Sequence, residues 1–208
     1  AKFSKRENIE VIPNGVDTNS FSFPQDIRPS RQLYFIGWFK NLQNVDAMNF
    51  FLDELLPSCL SQDINFKMKI IGKDASDDLK KRFADAGFSY IEYLPDNMLS
   101  SLANSVLIVP LRFGGGTRLK ILEAMSMGNP VVSSLIGAEG LDLVDGQNVL
   151  LYKNKDEFVQ KLSDLFSSDE LWKNIVKSAR DKVESTYDWR IIVNNSLAIY
   201  NRLISNKQ

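Results

Sequence analysis

Residues 110–141 read PLRFGGGTRLKILEAMSMGNPVVSSLIGAEGL, joining the end of one apolar strand, a glycine triplet, a cationic helix start and a second strand. Gly114, Gly115 and Gly116 offer backbone angles closed to other residues and let a ligand approach the main chain closely. Thr117 is the expected N-cap of the helix that follows. Arg118 and Lys120 fall in its first turn, where basic side chains oppose the helix dipole and cost stability unless an anion sits nearby. Amides, a positive helix end and two cations together describe a phosphate site; an ordinary tight turn is the alternative. The triplet lacks the GxGxxG spacing, and no GK[ST] follows, so this is neither the dinucleotide fingerprint nor a P-loop.

Working outward, strand-like and helix-like patterns alternate. Residues 31–37 (RQLYFIG) are nearly continuous in apolar character, as in a strand covered on both faces. Over 44–56, Val45, Met48, Leu52 and Leu55 recur at helical spacing with Phe51 on the flank. The unit repeats: strand 66–72, helix 77–86, strand 88–94, short helix 98–103, strand 106–111, helix 118–127, then strands 130–134 and 149–152. This order predicts an α/β, Rossmann-like parallel sheet with helices on both faces. A tail of three helices is marked by Phe158, Leu162 and Leu165, by Leu171, Ile175 and Ala179, and by Trp189, Ile192, Leu197 and Ile204. The segment Asn14-Gly15 reads as a turn, and the polar stretch 18–31, with Pro24 and Pro29, as a loop or hinge.

Composition removes several function classes. The 208 residues are 44% hydrophobic, enough for a sizeable core, and their formal net charge of -1 is spread along the chain. That leaves no broad basic face for nucleic acid. With no histidine, neither a Ser/His nor a Cys/His nucleophile system can be built, and a His-based metal site is excluded. Asp77-Asp78 and Asp142 with Asp145 lack convincing metal spacing, so no metal and no cofactor are assigned. No run approaches the roughly 20 apolar residues of a membrane span. The single Cys59 makes no internal disulfide and fits a reducing, cytoplasmic compartment.

In an open parallel sheet, ligands bind at the carboxyl ends of the strands, which directs attention to the loops after Gly37, Gly72, Leu94, Leu111 and Ser134. Glu123 neighbours Lys120 on the helix surface; it either accepts hydrogen bonds from vicinal hydroxyls or pairs with that lysine. Lys40 is either a phosphate contact or an exposed loop lysine, and Trp38 either covers a ligand or closes the top of the core.

The run GGGTRLKILEAMSMGNPVV resembles the signature of the group 1 retaining glycosyltransferases of the GT-B fold. VIPNGVD, LYFIGWFKNLQNVDAM, FKMKIIG, and IEYLPD with VLIVPL follow in the order expected for that family. The resemblance implies the C-terminal, donor-binding half of a two-domain enzyme that moves a sugar with retention from a nucleotide-diphosphate sugar to an acceptor hydroxyl. By it, residues 1–30 form the interdomain connection, 31–187 the nucleotide-sugar-binding domain, and 188–208 a helix that packs on the N-terminal acceptor domain. Any peripheral membrane attachment is expected through that other domain. It also implies that Glu123 bonds the ribose and that Arg118 and Lys120 face the departing diphosphate. The backbone at Thr117 and Leu119 adds amides, Tyr93 and Leu94 lie beside the base, and Gly37 opens the second phosphate-facing loop. A nucleotide-sugar epimerase and a noncatalytic nucleotide-sugar-binding module are the other readings. The chain departs from the family where a glutamate is common, at Gly115, and where cations are common, at Trp38 and Gln43.

Overall fold

A computed structural model describes residues 10–116 and 118–205. Its centre is a six-stranded parallel sheet: β1 (Gln32–Ile36), β2 (Lys67–Ile71), β3 (Ser89–Ile91), β4 (Val106–Val109), β5 (Val131–Ser134) and β6 (Leu150–Tyr152), in the order β3-β2-β1-β4-β5-β6. The strand order reverses between β1 and β4, which opens a crevice at their carboxyl ends. All four residues of β4 and the centre of β1 are buried, as their unbroken apolar character requires of strands covered on both faces.

The helices are α1 (Leu42–Phe50), α2 (Leu56–Leu60), α3 (Asp77–Asp85), α4 (Leu119–Ser126), α5 (Lys155–Ser167), α6 (Asp169–Lys182) and α7 (Trp189–Ser205). Helix α3 packs against β3 and α4 against β5. Helix α5 packs against β6 and α2, and α6 against α4. The α/β, Rossmann-like expectation and the three-helix tail are therefore both present.

Element ends shift by a few residues, with physical reasons. The first helical stretch continues from α1 into α2 through a π turn, Phe51–Leu55, which buries Phe51, Leu52 and Leu55 together. Pro57, which has no N–H to give to the ladder, follows at once. Phe51 thereby enters an aromatic cluster with Phe66, Phe88 and Phe158, at ring separations of 6.1 to 6.2 Å. Strand β3 is shorter than the expected 88–94 because it is an edge, paired only to Lys69, Ile70 and Ile71; Tyr93 and Leu94 lie in the loop beyond it. Helix α4 begins at Leu119, with Arg118 as its capping residue at φ -87 and ψ 61, and the expected cap at Thr117 lies outside the described residues.

The segment before β1 is tied to the tail. Val16 N–H donates to Tyr187 O at 2.9 Å, and Trp189 N–H to Val16 O at 3.1 Å. Asn14-Gly15 is more than a surface turn, since a Cβ on Gly15 would stand 2.8 Å from Tyr187 O and 2.7 Å from Ile192 Cδ1. Thr18 Oγ1 donates to the buried Asp188 carboxylate at 2.5 Å, and Arg180 donates to Thr18 O at 3.2 Å and to Ser126 O at 2.5 Å. Bonds from Arg190 and Thr18 hold the Asp188 carboxyl well below its ordinary pKa. Cys59 is buried and its thiol is pushed up to about 12 by desolvation, as suits a packing residue rather than a nucleophile.

Candidate functional site

Two adjoining compartments lie at the carboxyl ends of the strands. The larger, about 690 Å³, is walled by the ends of β1, β2 and β3 and by α4, and includes Gly37, Trp38, Lys73, Tyr93, Leu94 and Glu123. Its size falls in the range of about 300–1,000 Å³ common for small-molecule sites. The smaller, about 250 Å³, lies between the first turns of α1 and α4 and is lined by Asn41, Gln43, Asn44, Gly115, Arg118 and Leu119. Ile36, Gly37, Trp38 and Lys120 border both.

The junction depends on close backbone packing. Gly37 N–H donates to Ile71 O at 3.0 Å, drawing the ends of β1 and β2 together. Gly72, at φ +155, then passes so near that a Cβ there would sit 1.8 Å from Gly37 O, a contact only glycine permits.

Lys120 stands where the compartments meet. Its Nζ donates to Ile36 O at 2.5 Å and lies 4.8 Å from the centre of the Phe35 ring. Burial, and secondarily the Arg118 charge, push its pKa down to about 8, while the negative charge of Glu123 opposes them. It is thus a cation held in a place that disfavours its own charge, and an entering anion would relieve that.

Arg118 is 5% exposed, and its guanidinium is largely occupied. It donates to Gly115 O at 3.0 Å, to Gly114 O at 2.8 Å and to Ile136 O at 3.3 Å, so it fixes the glycine loop against the loop after β5. Its Nε is buried without a partner. Desolvation lowers its pKa, and the charge of Glu139 acts in the opposite direction.

The remaining expected residues divide. Gly37, Trp38, Tyr93, Leu94, Gly115, Leu119 and Glu123 all stand on a compartment wall. Gly114 and Gly116 do not; they shape the loop at φ +113 and +92. Lys40 stands on neither wall. Its Nζ lies 5.4 Å from the Trp38 ring and 3.9 Å from Asp74, whose carboxylate also accepts from Trp38 Nε1, so the exposed-lysine alternative describes it better.

Sequence reading missed Ser20 and Phe21, which come from the expected hinge, and Lys73, which lies 5.2 Å from the Tyr93 ring. The glycine ending β2 marked that loop but named no residue in it. Among the described residues no group of three or more Cys, Asp or Glu is placed to hold a metal, and no helix is long and apolar enough to cross a membrane.

Comparison with known proteins agrees with this architecture. A family model described as glycosyl transferases group 1 matches residues 30–168. A Methanocaldococcus jannaschii protein named as an uncharacterized glycosyltransferase is 25% identical over 177 residues, covering 81% of this chain and 47% of its own length. Among solved structures, a mutant of S. aureus TarM in complex with fondaparinux, alpha-GlcNAc-glycerol and UDP superposes with a TM-score of 0.74 at 21% identity, over 95% of this chain and 40% of that one. The C-terminal domain of a glycosyl transferase group 1 family protein from Francisella tularensis superposes with a TM-score of 0.66 at 20% identity, over 84% of this chain and all of that one. At these identities the structures establish the fold, and the chain spans less than half the length of the curated relatives it matches. Since the family model covers well over half of its residues, this chain belongs to the group 1 glycosyltransferases, with the fold of their C-terminal GT-B domain.

Proposed function

We propose that the chain is the donor-binding part of an enzyme that transfers a sugar, with retention, from a nucleotide-diphosphate sugar to an acceptor hydroxyl. The observation that carries this reading is the placement of Lys120 at the junction of a roomy compartment and a small polar one. The nucleoside occupies the larger space, with Glu123 accepting from the ribose hydroxyls and Tyr93 and Leu94 beside the base. The diphosphate crosses the junction, where it meets Lys120, the unpartnered Arg118 Nε and amides at the start of α4. Fixed positive charge at this point stabilises the departing diphosphate as the glycosidic bond to it breaks, without reorganisation at the moment of reaction. In this scheme Lys120 touches the leaving group, while Arg118 chiefly positions the loop. UDP in the TarM complex supports the nucleotide part of the reading, and retention rests on the signature GGGTRLKILEAM. Incubating the protein that contains both domains with a nucleotide sugar and an acceptor tests it. A glycoside of unchanged anomeric configuration is expected, whereas a free epimerised sugar or no product contradicts it.

The acceptor half is proposed to cover α7. Trp189, Val193, Leu197, Tyr200 and Ile204 recur at helical spacing along this helix and are 43 to 64% exposed, a stripe that water does not favour. Residues 188–208 are read as the piece that packs on that domain, 31–187 as the donor domain and 1–30 as the connection. Backbone amide exchange over 193–204 should slow when the preceding domain is present; equal exchange with and without it would count against the arrangement.

A further inference from the structure

We propose that Asn44 reads a hydroxyl of the transferred sugar, as a neutral acceptor on a wall whose described residues include no carboxylate. The proposal rests on the donor-site reading above and goes further by assigning the sugar's end of the site. Asn44 is 4% exposed and stands in the first turn of α1, on the wall of the smaller compartment. Its Nδ2 donates to Trp38 O at 2.8 Å; because a carbonyl oxygen only accepts, this bond fixes which end of the amide is which. The other atom, Oδ1, is buried without a partner.

A buried amide oxygen is costly to leave unmatched, so a ligand group that donates to it gains more there than in water. The neighbouring cations are engaged elsewhere: Lys120 Nζ on Ile36 O, and the terminal nitrogens of Arg118 on the carbonyls of Gly114, Gly115 and Ile136. A phosphate oxygen only accepts and cannot satisfy Oδ1, whereas a hydroxyl donates. In a donor laid out as base, ribose, diphosphate and sugar, the group beyond Lys120 from the larger compartment is the sugar.

The opposite wall leaves room for a sugar ring. A Cβ on Gly115 would meet nothing within 4 Å, so that side of the compartment is open. In this compartment Asn41, Gln43 and Asn44 supply amides from the start of α1, and Arg118 and Lys120 supply the charges from the start of α4.

Isothermal titration of the wild type, Asn44→Ala and Asn44→Asp tests the assignment, using UDP, GDP and ADP against UDP-glucose, UDP-N-acetylglucosamine, GDP-mannose and ADP-glucose. The readout is the affinity of each conjugate divided by that of its diphosphate. In the wild type at least one ratio should exceed one. Asn44→Ala should lower it about tenfold while diphosphate affinity stays within about twofold. Asn44→Asp keeps an accepting oxygen but has no donor for Trp38 O, so it should retain more of the ratio than Asn44→Ala even as its charge weakens both affinities. A ratio unchanged in Asn44→Ala, or lost equally in both variants, overturns the role of Oδ1; equal loss would show that the tether to Trp38 is what matters. Wild-type ratios of one throughout overturn it as well. Failure of every diphosphate to bind is a separate outcome, and it removes the donor reading beneath this proposal.

Discussion

Lys120→Met is expected to weaken nucleoside diphosphate binding by about 10- to 150-fold, the loss of one charge-assisted contact of roughly 1.5–3 kcal/mol. Methionine keeps the apolar stem over Phe35 and removes both the charge and its bond to Ile36 O; relief of a charge that burial disfavours offsets the lost bond, so the thermal midpoint should hold and affinity for the nucleoside alone should stay within about twofold. The pH dependence has a definite sign. With the Lys120 pKa pushed down to about 8 in the free chain, diphosphate affinity should be steady from about pH 7, above the second ionisation of the terminal phosphate at about 6, up to that value. Above it, affinity should fall by up to about tenfold per unit, because the neutral amine must first take up a proton. Lys120→Met should lack this limb. Stability of the free chain runs the other way: the unfolded lysine titrates near 10.4, so between about 8 and 10.4 the unfolded state binds more protons and the fold gains stability as pH rises. An affinity profile that declines identically in both proteins would detach Lys120 from the ligand.

Gly72→Ala should damage both fold and site. The added methyl would lie 1.8 Å from Gly37 O and 3.2 Å from Phe39 Cε2, on a backbone at φ +155 that side chains rarely adopt. Relief requires the ends of β1 and β2 to part, which removes the shared floor of the two compartments. A loss of about 3 kcal/mol, seen as a thermal midpoint lower by roughly 6–12 °C, is expected together with loss of diphosphate binding. Gly115→Ala is the matched control: its methyl meets nothing within 4 Å, and the midpoint should hold. Similar behaviour of the two variants would contradict the close-approach account.

What was legible in the sequence was what local pattern dictates. β1 and β4 stand out because strands covered on both faces must be apolar without interruption, and α4 because a glycine triplet and two cations precede its apolar stripe. The π turn at Phe51–Leu55 was not legible, since a periodic reading assumes 3.6 residues per turn and the chain departs from it there. The cationic cluster of the site could be anticipated from Arg118 and Lys120. Their different uses could not, because Arg118 is held partly by Ile136 O, 18 residues away, and Lys120 by Ile36 O, 84 residues away. Lys40 illustrates the converse: closeness in sequence to Gly37 made it a candidate, yet its side chain is drawn outward by Asp74 and Trp38. Lys73 and Asn44 join the site only because the parallel register sets the end of β2, and the helix after β1, beside that of β1.

Calorimetric titration of the folded chain with UDP, GDP and ADP, in buffer free of divalent metal at pH 7, tests the central claim most directly. The account predicts saturable one-to-one binding of at least one diphosphate, strongly reduced by Lys120→Met. Absence of heat with all three, in a sample whose cooperative unfolding shows it to be native, would contradict it.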